Sequence, residues 1–205
     1  MRRAALGFRT HSGWTALVAV SLEEVGPRVL MRDRPQLVET FTYGFRQPYH
    51  TAEKMLLEKA RAFVSSVESE AKRLAEKAIR TVQADLRGQG YALTHFGMLL
   101  ASGKPLPNLE KILLSHALIH AADGELFRAA LAAAGARCDM SAFTIKESEL
   151  LALAGKTLAV RPDVLMRRLT ALGKPFGAPW SKDEKFAALA AWLALHGADG
   201  KSAPR

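Results

Sequence analysis

LGFRTHSGWTALVAV, residues 6–20, decides how this chain is read. An apolar run enters, Thr10, His11, Ser12 and Gly13 interrupt it, and a second apolar run leaves. Ser and Gly at the interruption favour a tight reversal of the backbone. The pattern predicts two neighbouring antiparallel strands, over residues 4–8 and 14–21. Arg9 stands at the tip of the first, where sheet proteins of mixed type gather functional groups.

Outward from this hairpin, residues 28–40 predict a third strand, with Pro35 marking a bend or an edge. From residue 52 to about 86 the apolar period changes to three and four, with Glu, Lys and Arg on the other face, so one long amphipathic helix is expected there, capped by Thr51 and kinked near Ser65 and Ser66. Residues 91–102 predict a buried strand, 109–135 a second long helix capped by Asn108, and 141–148 a fifth strand. Helices over 147–154, 162–172 and 182–196 complete the chain. Three strands in a meander, followed by strands separated by helices, require a mixed sheet with parallel additions. The fold class is therefore α/β, with a mixed five-stranded sheet flanked by helices and a helical C-terminal third. One domain over residues 1–197 and a disordered tail over 198–205 are expected.

The 205 residues carry 29 Lys and Arg against 20 Asp and Glu, a formal charge of +9. Such an excess attracts anions, nucleic acid among them, although scattered surface cations account for it equally well. Aromatic residues make up 7% and are not interleaved with the cations, which argues against a base-stacking groove for single strands. Cys138 is the one cysteine, so no internal disulfide forms; a reducing, cytoplasmic location and a buried, inert thiol are expected. No apolar run reaches the length of a membrane span.

The opening and closing segments together carry a resemblance. Leu6, Gly7, Phe8 and Arg9, with Thr15 beginning the return strand, are similar to the first hairpin of the ribonuclease H-like superfamily, nearest its Holliday-junction resolvase (RuvC-type) branch. SKDEKFAALAAWLAL, residues 181–195, is similar to that branch's last helix, which is Asp-led and Ala-rich. The resemblance implies a ribonuclease H-like sheet and an association with nucleic acid. It also implies clustered carboxylates holding two divalent metals, but this chain departs from that pattern. Arg9 stands where the family has its first acid, residues 91–102 contain no Asp or Glu, and only Asp183, with Glu184 beside it, matches an acid of the final helix. One or two carboxylates do not balance two Mg²⁺ ions. The resemblance thus implies a degenerate nuclease.

Several groups of residues bear on chemistry, each with a plainer alternative. Arg9, His11 and Ser12, beside Gly13, make an anion-binding cradle or simply a solvated turn. His116 and His120, four apart, share one helix face; with Glu125 or Asp123 they form half a metal or acid–base site, or else two core-edge histidines. Read as part of one continuous helix, both imidazoles point with Leu109, Leu113, Phe127 and Leu131 toward the sheet. Asp183 is a working or remnant acid, while Ser181 and Glu184 have the spacing of a capping box. Tyr49, His50, His95 and Ser102 are polar residues near strand or loop ends.

The leading expectation is a nucleic-acid-associated or phosphate-binding protein that contacts DNA or RNA through phosphates and does not run two-metal hydrolysis. The competing expectation is a small hydrolase or transferase whose pocket joins His11, His116, His120, Glu125 and Asp183 around a metal or an acid–base pair. A third is a protein-interaction module using the charged face of the long helix. The sequence singles out no metal and no cofactor.

Overall fold

The computed structural model describes residues 1–101 and 105–199. Strands β1 (Arg2–His11), β2 (Trp14–Glu23) and β3 (Gly26–Asp33) lead into two short helices, α1 (Tyr43–Arg46) and α2 (Pro48–Ala52), and then the long helix α3 (Leu57–Gly88). Strand β4 (Tyr91–Leu100) is followed by α4 (Leu109–Leu113) and α5 (His116–Arg137), then β5 (Ser141–Lys146). A single 3₁₀ turn over Glu147–Glu149 opens the helical remainder, α6 (Leu150–Thr157), α7 (Pro162–Leu172) and α8 (Lys182–Asp199).

The five strands form one sheet in the order β3-β2-β1-β4-β5. β1 runs antiparallel to β2, from Ala4 opposite Ser21 to His11 opposite Trp14, and parallel to β4, with Gly7 beside Gly97. The two-residue turn of Ser12 and Gly13 closes the first hairpin, and Gly13 supplies the positive φ of 80° it requires. β4 and β5 are parallel, as their helical crossover demands.

Alternation along β1 divides the molecule into layers. Ala4, Leu6 and Phe8 enter the core formed with α3 and α5, whereas Ala5 enters the core formed with α8. The apolar stripe of α3 runs through Ala60, Val64, Val67, Ala71, Ala75, Ile79, Val82 and Leu86, at steps of three and four. On the other face α8 lies directly on the sheet. A Cβ on Gly7 would stand 1.8 Å from the Ala187 carbonyl oxygen, and one on Gly97 would stand 2.2 Å from that of Ala190. These adjacent glycines let the α8 backbone reach the strands, and Ala187, Ala190 and Ala191 keep the helix side of the contact equally thin. Asp183 is one turn before Ala187, and Arg9 is one same-face step beyond Gly7, so the close approach brings those two side chains together.

Several boundaries differ from expectation. The third strand ends at Asp33 rather than 40, leaving only a lone bridge between Trp14 and Gln36. Thr51 lies inside α2, its hydroxyl donating to the carbonyls of Gly44 and Gln47, and α3 starts instead after Leu56. The fifth strand stops at Lys146, so Glu147 belongs to the turn after it. The helix expected over 109–135 is two helices: Asn108 caps the first through the Lys111 N–H at 3.1 Å, and the second starts only at His116. Helix α8 continues to Asp199, and the rest of the tail expected over 198–205 lies outside the described residues. Cys138 is buried, as expected.

Candidate functional site

Arg9 sits on the central strand facing the N-terminus of α8. Its guanidinium meets Glu147 through two parallel bonds, Nε to Oε2 and Nη2 to Oε1, both 3.0 Å. Its Nη1 donates to Asp183 Oδ1 and lies 3.0 Å from His11 Nε2. Lys182 adds a second cation, its Nζ 2.8 Å from Glu147 Oε1. Two cations and two carboxylates thereby neutralise one another. The fork-to-fork geometry of Arg9 and Glu147 is the strongest form of such a pair. Burial disfavours the guanidinium charge, but Glu147 and Asp183 outweigh it and raise the Arg9 pKa further. For Glu147 burial likewise opposes ionisation, and the bonds from Arg9 and Lys182 prevail, holding the carboxyl below its ordinary value.

His11 extends the cluster outward, stacked on Trp14 with ring centroids 4.3 Å apart. Its Nε2 is 3.0 Å from both Arg9 Nη1 and Asp183 Oδ1. A neutral imidazole nitrogen serves only one of these at a time, accepting from Arg9 or donating to Asp183. Ser12 contributes its carbonyl, which accepts from Arg46 Nε at 3.3 Å.

The segment before α8 is held by a capping box. Ser181 Oγ accepts from the Asp183 N–H at 3.1 Å, and Glu184 Oε2 accepts from the Ser181 N–H at 2.8 Å. Glu184 is buried and also takes Arg34 Nε at 2.8 Å. Burial alone would raise the Glu184 pKa; the bonds from Ser181 and Arg34 overcome it and lower it.

The expected residues of α2 and α5 lie in a different layer, on the α3 and α5 side of the sheet. His116 and His120 are exposed, not directed at the sheet. They share a face of α5 with the buried Asp123, Phe127 and Leu131, but they lie in its first turns, where His50 of α2 and not the sheet meets that face. The two imidazoles meet His50 from α2, with ring centroids 4.4 to 5.3 Å apart. Asp123 stands behind them, 3% exposed, accepting from His50 Nδ1 and from the Tyr49 N–H at 2.7 Å. Burial pushes the Asp123 carboxyl up, against the opposing pull of those two donors. Glu125 is not part of this group: α5 runs unbroken through Gly124, and Glu125 pairs with Arg128 Nε at 2.8 Å. Asp183 is not part of it either. The single pocket expected from His11, His116, His120, Glu125 and Asp183 is therefore two clusters, on opposite faces of the sheet. Ser102 lies outside the described residues.

Glu147 was absent from the expected site. The signal for it was positional: the ends of parallel strands meet at one edge of a sheet, and Glu147 directly follows β5.

No family model matches this sequence, and no curated protein matches it significantly. The chain is similar in structure to RuvC of Thermus thermophilus in complex with a Holliday junction substrate, with a TM-score of 0.56 and 12% identity over 98% of each chain. A second Thermus thermophilus RuvC structure gives a TM-score of 0.52 and 9% identity over 97% of each chain. The sheet order and the whole-chain likeness establish a RuvC-like, ribonuclease H-type α/β fold. No helix among the described residues is long and apolar enough to cross a membrane.

Proposed function

We propose that this chain is a nucleic-acid-associated protein of ribonuclease H-like fold in which a fixed guanidinium replaces metal at the end of the central strand. The observation that carries the reading is the bonding of Arg9. Two-metal hydrolysis needs carboxylate oxygens free to chelate. Here both oxygens of Glu147 and Oδ1 of Asp183 are directed at Arg9 and Lys182, so a divalent ion shared by the two acids would have to displace a bidentate guanidinium. Divalent-dependent phosphodiester cleavage is not part of the reading.

Association with nucleic acid is supported by the RuvC-like fold and by the +9 charge. Arg9, His11 and Ser12 line the edge at which a phosphate would arrive. Arg9 and Lys182 are met by carboxylates from within and Lys146 by Glu149, so attraction at that edge rests on the half-buried Arg46 and on the overall excess of cations. A second surface with an excess of cations runs along α3, where Lys72, Arg73, Lys77, Arg80 and Arg137, with Glu76 pairing the last two, line an open groove of about 780 Å³.

Fluorescence anisotropy with a labelled four-way DNA junction, linear duplex DNA and single-stranded RNA tests the association. Binding to at least one is expected, weakening by roughly tenfold or more between about 50 and 200 mM salt. Absence of binding at the lower salt, or binding indifferent to salt, overturns the association. The same substrates incubated with Mg²⁺ or Mn²⁺ test the chemistry. Cleavage that disappears in Asp183→Asn overturns the metal-free reading and leaves the association standing.

A further inference from the structure

We propose that His50, His116 and His120 form a binding site for a divalent transition-metal ion, Zn²⁺ in the first instance, with Asp123 as the positioning residue behind it. The site is distinct from the Arg9 cluster, and its test does not depend on the nucleic-acid reading.

The geometry is that of converging ligands. One nitrogen from each imidazole lies within 4.8 Å of the others. His116 Nε2 and His120 Nε2 are 3.1 Å apart. Two nitrogens on a tetrahedral Zn²⁺ at ordinary bond lengths stand about 3.3 Å apart, so this pair needs to open only slightly to share an ion. The rings meet at steep angles of 69° to 89°, which lets each present its in-plane lone pair to a common point. A single N–H···N bond between His116 and His120 accounts for their closeness but not for the third ring.

Asp123 is the second, independent observation. It is buried, and it takes the Nδ1 proton of His50. That bond fixes the tautomer in which Nε2 of His50 carries the lone pair, and it makes the imidazole a better donor to a metal. The Tyr49 N–H, 2.7 Å from the other oxygen of Asp123, fixes the carboxylate in turn. A carboxylate bound to one nitrogen of a histidine, with two further histidine rings packed against that ring, is the outer-sphere arrangement of a metal centre.

Charge and access also fit. The N-terminus of α5 disfavours a cation, and the Asp123 carboxylate, within the first turns of the same helix, offsets it. His116 and His120 are exposed, so an ion can enter from solvent and a water can complete a fourth position. Three nitrogen donors suit Zn²⁺, and Ni²⁺ and Cu²⁺ compete for such a set, whereas Mg²⁺ and Ca²⁺ prefer oxygen. Cys138 is buried and so offers no rival thiolate.

The full chain, stripped with a chelator and dialysed, would be titrated with ZnCl₂ by calorimetry and with CoCl₂ by visible absorption. One equivalent of each metal per chain is expected, Co²⁺ giving the intense d–d bands of a four-coordinate site. His120→Ala and His116→Ala alter exposed residues and leave the fold intact by circular dichroism; each should weaken Zn²⁺ binding by at least roughly 100-fold, losing one of three protein ligands. Asp123→Asn should weaken it by about 10- to 100-fold and keep the one-to-one stoichiometry, the response of an outer-sphere group. His196→Ala, remote from the cluster in sequence and exposed at the end of α8, should bind as the parent does. No saturable Zn²⁺ binding by the parent, or equal binding by His120→Ala, overturns the proposal.

Discussion

The Arg9 cluster and the histidine cluster lie on opposite faces of one sheet and are built on opposite principles. Around Arg9 every charge has a counter-charge from the protein: Glu147 and Asp183 face Arg9, and Lys182 faces Glu147. At the head of α5 three imidazoles converge, and among the described residues only His50 has an acid of its own, Asp123. The first arrangement is electrostatically complete and serves to hold α8 and the turn after β5 against β1. The second collects donors of one kind, which are complete only around a shared cation or proton.

The sharpest way to break this contrast is Gly7→Ala. The added Cβ would stand 1.8 Å from the Ala187 carbonyl oxygen, which belongs to backbone and cannot turn aside. Helix α8 must lift, carrying Asp183 away from Arg9. A loss of about 3 kcal/mol in stability, at the upper end for overpacked sites, is expected in urea denaturation. In the fraction that remains folded, Zn²⁺ stoichiometry should be unchanged, since α5 packs on the other face. Loss of α8 docking and metal binding together would mean the two clusters are mechanically one.

Next in size is Arg9→Met, which leaves Glu147 and Asp183 near one another without their shared cation. Breaking a fully buried pair costs more, but these side chains are 17%, 32% and 19% exposed, so a loss of about 2 kcal/mol is expected. Adding Glu147→Gln should restore part of it. Millimolar MnCl₂ should raise the melting temperature of Arg9→Met and not that of the parent, because only the variant leaves Asp183 without its guanidinium and Glu147 with Lys182 alone. An equal response in both proteins would remove the guanidinium from the role of metal substitute.

What the sequence disclosed follows the range of the interactions involved. The hairpin of β1 and β2 was legible because alternation and the Ser12–Gly13 turn are local, and so were the capping box of Ser181 and Glu184 and the stripe of α3. The break before α5 was not, because residues 109–120 keep an apolar period straight through Leu114 and Ser115. His116 and His120 share the face of Phe127 and Leu131 as their spacing indicates, but in the first turns of α5 that face meets α2 and solvent rather than the sheet, which periodicity does not show. Glu147 was hidden inside an overlong strand, and its partner Arg9 is 138 residues away. His50 and Asp123 are 73 apart, and no local pattern joins them. Both clusters depend on side chains brought together only by the layer packing.

The smallest effect separates the two acids that flank Asp183 in space. Glu147 and Glu184 both have folded pKa values below their ordinary 4.5. A lowered carboxyl contributes stability at pH values above the unfolded pKa and loses it as pH falls through the folded value. Thermal stability should therefore decline as the pH drops below about 4.5, the two groups together contributing on the order of 1 kcal/mol after allowance for solvent screening. Glu184→Gln and Glu147→Gln should each melt lower than the parent at pH 7 and show a shallower decline on acidification. Glu184 is 1% exposed at its side chain and also closes the α8 cap, so its variant should lose more at pH 7 than Glu147→Gln, whose partner Arg9 keeps Asp183. The reverse order would mean that the bond across to β5, and not the cap, is what seats the first turn of α8.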